Sequence, residues 1–146
     1  MNPLDRLVGA RMLAVHQFVY EHSGGRIGER IGGVPMLLLR TTGRKSGLRR
    51  TVALLYFRDG DRYVVVGSKG GSDSPPAWLL NLQANPGVDV QIGTRRFGAS
   101  ARLASAEEQR ALWPRVTKLW PQYDRYQSQT KRRIPLVILS AIHQSG

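Results

Sequence analysis

The sequence predicts a mainly β (α+β) domain, an antiparallel barrel with flanking helices. Six short apolar runs are separated by turn signals. The helical runs between them do not alternate regularly with strands, which disfavours a doubly wound parallel sheet. The chain of 146 residues, 41% hydrophobic, is one domain's worth and can bury a core.

Along the chain, residues 3–20 read first as a helix. Leu4, Leu7, Val8, Met12, Val15, Phe18 and Val19 recur at intervals of three and four. Such a stripe serves either a helix packed on the domain or a basic amphipathic helix resting on a membrane or covering a pocket. Residues 23–33 hold five glycines and read as a linker. Residues 1–33 are thus expected to be an N-terminal helix and glycine-rich linker, and residues 34–146 the barrel domain.

Strands are expected at residues 35–41, 51–57, 62–68, 88–92, 95–103 and 134–140. Asp59-Gly60 centres the turn before the third strand, and Gly93-Thr94 joins the fourth and fifth. One helix is expected from Ser74 as N-cap, with Pro75 in the first helical position, to about residue 84. Another opens on Ser105-Ala106-Glu107-Glu108, a capping box in which the Ser105 hydroxyl serves the Glu108 N–H and Glu108 reaches back. It is expected to reach about Trp113, with Pro114 kinking it or starting a new turn.

Composition removes several chemistries. There is no cysteine, hence no disulfide scaffold, thiolate metal site or cysteine nucleophile. His16, His22 and His143 are far apart and no metal is expected. No Ser–His–Asp set or paired carboxylate stands out; Asp59, Asp61, Asp73 and Asp89 read as turn or cap residues. Chemistry, if present, is then borrowed from an organic cofactor. With no apolar run long enough to span a bilayer and no signal peptide, the expected location is the cytoplasm.

Charge is pronounced: 22 Lys+Arg against 10 Asp+Glu, net +12. It favours polyanionic partners, namely nucleic acid, anionic lipid or a phosphorylated or polycarboxylate ligand. Three segments concentrate the chemistry. TTGRKSG (residues 41–47) and its flanks carry five cations between Arg40 and Arg50, with two glycines and the Ser46 and Thr51 hydroxyls. This composition suits an anion cradle built on a backbone nest, or a solvated basic hairpin; it lacks the P-loop pattern. Ser68-Lys69-Gly70-Gly71 follows the most apolar strand and precedes a helix N-terminus, as an anion site or a flexible turn. Trp113, Trp120, Tyr123 and Tyr126 form an aromatic set, either a pocket for a flat ligand or a satellite core.

The ordered set TTGRKSG, SKGG, W-x-x-N-L-x-A-N-P and WPQYDRYQS resembles the deazaflavin-dependent nitroreductase family of the flavin/deazaflavin oxidoreductase superfamily. The likeness runs from about residue 35 to residue 138. It implies a six-stranded split β-barrel of the FMN-binding type and coenzyme F420, whose phosphodiester and polyglutamate tail are anionic. It implies cofactor contacts at Arg44, Lys45, Ser46, Arg50, Thr51, Val52, Ala53, Leu54, Ser68, Lys69, Gly70, Gly71, Pro76, Ala77, Trp78 and Asn81. Around the reacting face it implies Tyr56, Ser68, Tyr123 and Tyr126. One departure is Gln129, where family members with nitroimidazole activity often carry another aromatic.

The function so implied is an F420H2-dependent reductase passing hydride to a quinone, nitroaromatic or similar planar acceptor. Two alternatives are an FMN-binding split-barrel oxidoreductase and a non-catalytic basic binding barrel. The aromatics do not interleave with the basic turn, so nucleic acid is not expected. A monomer or homodimer is expected, with loose attachment to an anionic membrane allowed by the charge and the N-terminal stripe.

Overall fold

A computed structural model of the protein describes residues 30–31 and 34–142. The helix expected over residues 3–20, most of the linker and all three histidines lie outside the described residues. The strands are β1 (Arg30–Ile31), β2 (Val34–Thr42), β3 (Arg49–Asp59), β4 (Arg62–Val66), β5 (Gly87–Ile92), β6 (Arg95–Leu103) and β7 (Leu136–Ala141). Their order is β1-β2-β3-β4-β7-β6-β5, all antiparallel, and a β2–β5 pairing closes the six longer strands into a barrel. The short β1 falls inside the stretch read as linker, where it pairs with the start of β2.

Side-chain alternation builds two packed faces. Leu37, Leu39, Tyr63, Val65, Val88, Val90, Val137 and Leu139 point into the barrel. Helix α1 (Ala77–Ala84) adds Trp78, Leu79 and Leu82 to that interior. On the outside of β4 and β7, Val64, Val66, Leu136 and Ile138 meet α2 (Ala106–Leu119) through Leu112 and Val116, and Trp120 just beyond it. The short α3 (Gln122–Ser128) follows and sets Tyr123 and Tyr126 on the edge of this second cluster.

Four local expectations are corrected. Helix α1 begins at Ala77 with Pro76 as an extended N-cap (φ −67°, ψ 150°) and no side-chain cap. Ser74 is not the cap, because a residue preceding proline is disfavoured in the α region; Pro75 stands before Pro76 and cannot open the helix. The Ser74 hydroxyl instead lies 3.0 Å from that of Ser72. Helix α2 continues through Pro114 to Leu119. A proline there costs about 3 kcal/mol, and burial of Val116 and Trp120 beyond it offsets the loss. Strand β4 ends at Val66, where the Gly67 N–H donates to the Pro135 carbonyl at 2.8 Å. Strand β7 begins at Leu136, since Pro135 has no N–H for the ladder and the Ile134 N–H is held by Gln127 Oε1 at 2.8 Å.

The capping box forms as expected. Ser105 Oγ accepts from the Glu108 N–H at 3.1 Å, and Glu108 Oε1 accepts from the Ser105 N–H at 2.9 Å. Glu108 also joins a charge cluster that ties α2 to the sheet. It pairs with Arg62 at 2.8 Å and Arg102 at 2.7 Å, while Asp59 pairs with Arg62 at 2.6 Å and Arg115 at 3.0 Å. Arg102 is the leading cause holding the Glu108 carboxyl far below the usual carboxylate range. Asp89, read as a turn or cap residue, sits inside β5 and pairs with Arg49 at 3.0 Å.

Candidate active site

An open groove of about 500 Å³ lies where the β2–β3 turn meets α1. Gly43, Arg44, Lys45, Ser46, Arg50, Thr51, Val52, Ala77, Trp78 and Asn81 line it. The turn owes its shape to two glycines. Gly47 takes a positive φ of 70°, and at Gly43 a β-carbon would stand 3.3 Å from the Leu48 carbonyl and crowd the Ser46 hydroxyl more closely still. The Gly43 N–H donates to the Leu48 carbonyl at 2.8 Å, and the Gly47 N–H to the Gly43 carbonyl at 2.9 Å. Ser46 Oγ accepts from the Leu48 N–H at 3.2 Å.

Helix α1 fixes that turn from the side. Asn81 is buried, and its Oδ1 accepts from the Arg44 backbone N–H at 3.1 Å and from Arg44 Nη1 at 3.4 Å. Its Nδ2 donates to Thr41 Oγ1 at 3.4 Å. Trp78 and Asn81, three apart, share one face of the helix, so the indole walls the groove while the amide anchors the turn.

The anion cradle differs from a simple nest. The backbone N–H groups of Gly43, Arg44, Gly47 and Leu48 all have internal partners. The positive character therefore comes mainly from side chains. Arg44, Lys45 and Arg50 are exposed at the groove, and no carboxylate among the described residues pairs with them. Their field is directed outward to a ligand.

A second cluster forms around the loop after β4. Gly70 takes φ 56°, Lys69 and Gly71 form an isolated bridge, and the Ser72 N–H donates to the Lys69 carbonyl at 3.1 Å. The Ser68 side chain neighbours the Tyr123 phenol. The Tyr123 and Tyr126 rings meet edge to face at 5.6 Å, and Trp120 backs Tyr123 at 6.0 Å. Burial pushes the Tyr123 phenol up to about 12; the neighbouring Tyr126 adds to the shift and Ser68 opposes it. At neutral pH this hydroxyl keeps its proton and is a hydrogen-bond donor.

Nine of the residues singled out in the sequence thus line the groove: Arg44, Lys45, Ser46, Arg50, Thr51, Val52, Ala77, Trp78 and Asn81. Ser68, Lys69, Gly70 and Gly71 belong to the second cluster. Strand alternation parts Ala53 and Leu54: Ala53 packs outward with Met36 and Leu38, Leu54 inward on the barrel core. Pro76 is the buried N-cap of α1. Tyr56 also faces inward, its ring 5.9 Å from that of Tyr63, on the side of β3 opposite Phe57 and the Trp120–Tyr123–Tyr126 row. Gly43 is an addition, legible as the residue that lets the Ser46 hydroxyl close over the turn. Arg132, which holds the Ser68 loop from below, carries no local sequence signal at all.

Barrel and basic groove define a split-barrel protein with a site suited to an anionic ligand that has a flat, apolar part. The comparisons narrow this class. A profile for F420H(2)-dependent quinone reductases matches residues 12–141, and the chain belongs to that family. It is 42% identical over 146 residues to the F420H(2)-dependent quinone reductase Rv1261c of Mycobacterium tuberculosis, covering 94% of this chain and 95% of that protein. A solved F420-H2 dependent reductase, FDR-A, matches with a TM-score of 0.67 at 38% identity, over 73% of this chain and 94% of that one. A domain-swapped dimer matches with a TM-score of 0.69 at 33% identity, over 95% of this chain and 100% of that one.

Proposed function

We propose that this protein passes hydride from reduced coenzyme F420 to a quinone held beside Ser68 and Tyr123. The observation that carries the reading is the set of three cations, Arg44, Lys45 and Arg50, without carboxylate partners among the described residues, beside a wall of Val52, Ala77 and Trp78. A cofactor with an anionic phosphodiester and polyglutamate tail matches the cations, and a flat ring matches the apolar wall. When bound, reduced F420 supplies the hydride, from C5 of its deazaflavin.

The chain's own residues then have three tasks. Arg44, Lys45 and Arg50 hold the anionic portion, and Ser46 and Thr51 offer hydroxyls. The Ser68–Gly71 loop would approach a bound cofactor closely at Gly70, where the space a side chain would take is open, while Gly71 leaves room for Gln129. Tyr123, protonated at neutral pH like any phenol, donates a hydrogen bond to the acceptor oxygen as negative charge develops there, with Ser68 nearby. A nitroaromatic acceptor would use the same donors.

No helix among the described residues is long and apolar enough to cross a membrane. The net charge of +12 favours loose attachment to an anionic surface, where a lipid quinone is met. Deleting residues 1–20 should abolish cosedimentation with anionic vesicles; unchanged binding removes that segment's role. The related domain-swapped dimer supports a homodimer, to be read by sedimentation velocity.

The cofactor reading is tested by fluorescence titration with oxidised F420 and, separately, FMN, followed by turnover of reduced F420 with menadione. Saturation by F420 at micromolar concentration or below, much weaker FMN binding and menadione-dependent oxidation are expected. Tight FMN binding with no response to F420 would replace the reading with a flavin enzyme.

A further inference from the structure

The segment after α3 grips the Ser68 loop at several points. The Gln129 side chain lies directly against Gly71, where a β-carbon would overlap its amide. Thr130 Oγ1 donates to Asp73 Oδ1 at 2.7 Å. Arg132 spans the loop: its Nε donates to the Ser72 carbonyl at 3.1 Å and its Nη1 to the Gly67 carbonyl at 3.3 Å. One guanidinium thus holds both ends of the turn that carries Ser68, Lys69, Gly70 and Gly71. Its Nη2 is buried and has no hydrogen-bond partner among the described residues.

The same segment is fastened to α3. Gln127 Nε2 donates to the Arg132 carbonyl at 2.8 Å, and Gln127 Oε1 accepts from the Ile134 N–H at 2.8 Å. Arg132 is therefore the rigid link between the helix that carries Tyr123 and the loop that carries Ser68. A planar fork with donors in fixed directions suits this role, whereas an ammonium on a flexible stem satisfies one carbonyl at a time.

We infer that Arg132 is a positioning residue for the reaction: by holding the two ends of the loop it fixes the segment that carries Ser68 relative to the helix that carries Tyr123. The inference rests on the reading that Ser68 and Tyr123 face the acceptor. Arg132 acts through Ser68, so its effect should disappear when Ser68 has no hydroxyl. Loss of an ångström of registration at a reacting centre costs up to about a hundredfold in rate, and a kcat/KM loss of about tenfold or more is expected for Arg132→Gln.

The experiment is a double-mutant cycle on the full chain with Arg132→Gln, Ser68→Ala and the pair, measuring F420 affinity and the kcat and KM for menadione well below each variant's unfolding temperature. Arg132→Lys is carried in parallel, and takes the place of Arg132→Gln in the cycle if the latter does not fold. The expected result is a fall in kcat for each single variant, F420 affinity changed by less than about threefold, partial recovery with lysine, and a double variant no slower than Ser68→Ala alone. Multiplying losses in the double variant, or an Arg132 variant with unchanged kcat and KM while Ser68→Ala is slow, would overturn the inference. If neither Ser68→Ala nor Tyr123→Phe affects turnover, the underlying assignment of the acceptor face fails instead.

Discussion

The Asn81 amide oxygen accepts the Arg44 backbone N–H at 3.1 Å, joining a buried helix position to the tip of a basic turn 37 residues earlier. Through this one side chain the α1 helix, packed in the barrel, determines where Arg44 and Lys45 stand. Asn81→Ala leaves the Arg44 N–H without its partner and frees the turn. A loss of about 1–2 kcal/mol in stability is expected, read by thermal unfolding, together with several-fold weaker F420 binding in the fluorescence titration. Unchanged affinity would mean the turn keeps its shape without the helix.

The three groove cations, Arg44, Lys45 and Arg50, which have no carboxylate partner among the described residues, make a prediction about salt. Interactions between exposed charges are screened over about 8 Å at physiological ionic strength. F420 affinity should therefore fall as salt rises, and Arg50→Ala should both weaken binding and flatten that dependence. Equal slopes for the variant and the parent protein would show that Arg50 does not meet the anionic part of the ligand.

The Gly71–Gln129 contact predicts a rescue. Gly71→Ala drives a methyl into the Gln129 amide, and overpacking of this kind costs about 1–3 kcal/mol. Adding Gln129→Gly removes the obstructing side chain and should restore most of the lost thermal stability. If the double variant melts no higher than Gly71→Ala alone, the contact is not the source of the strain.

Glu108 predicts an acid limb. Its folded pKa lies below that of the unfolded chain, so its contribution is fully present above the ordinary glutamate range and is lost as pH falls below about 4.5. Glu108→Gln keeps an acceptor for the Ser105 N–H but loses the pairs with Arg62 and Arg102. The variant should be about 1 kcal/mol less stable at pH 7 and should lose less stability than the parent between pH 5 and 3. Parallel pH–stability curves would contradict the ion-pair role.

Tyr123 predicts behaviour at the opposite end. Its folded pKa is raised to about 12, so the stability tied to its neutral form is present below the ordinary phenol value and lost as pH rises toward 12. Tyr123→Phe should reduce that alkaline loss and lower kcat for menadione about tenfold or more, in line with removal of one preorganised donor. Full activity in Tyr123→Phe would exclude the phenol from the reaction.

Much of this architecture is legible locally. The capping box at Ser105 and Glu108, the Asp59-Gly60 turn, and the runs that became β3, β5 and β6 all depend on residues close in sequence, whose backbone preferences act whatever else folds. The misplaced boundaries have local reasons too. Pro75 cannot open a helix ahead of Pro76, and Pro135 cannot join a ladder.

The sequence by itself determined the strand pattern, the basic TTGRKSG turn and the glycines that let the Ser68 loop close. Only the tertiary structure decided that the β2–β5 pairing shuts the barrel, that Asn81 reaches Arg44, and that Arg132 grips the loop 60 residues before it. It also decided that Tyr56 faces the core while Tyr123 and Tyr126 pack on the outer side. The physical reason lies in the strand's period of two. Neighbouring residues point to opposite faces, and which face meets the site depends on register and on helices packed from far along the chain.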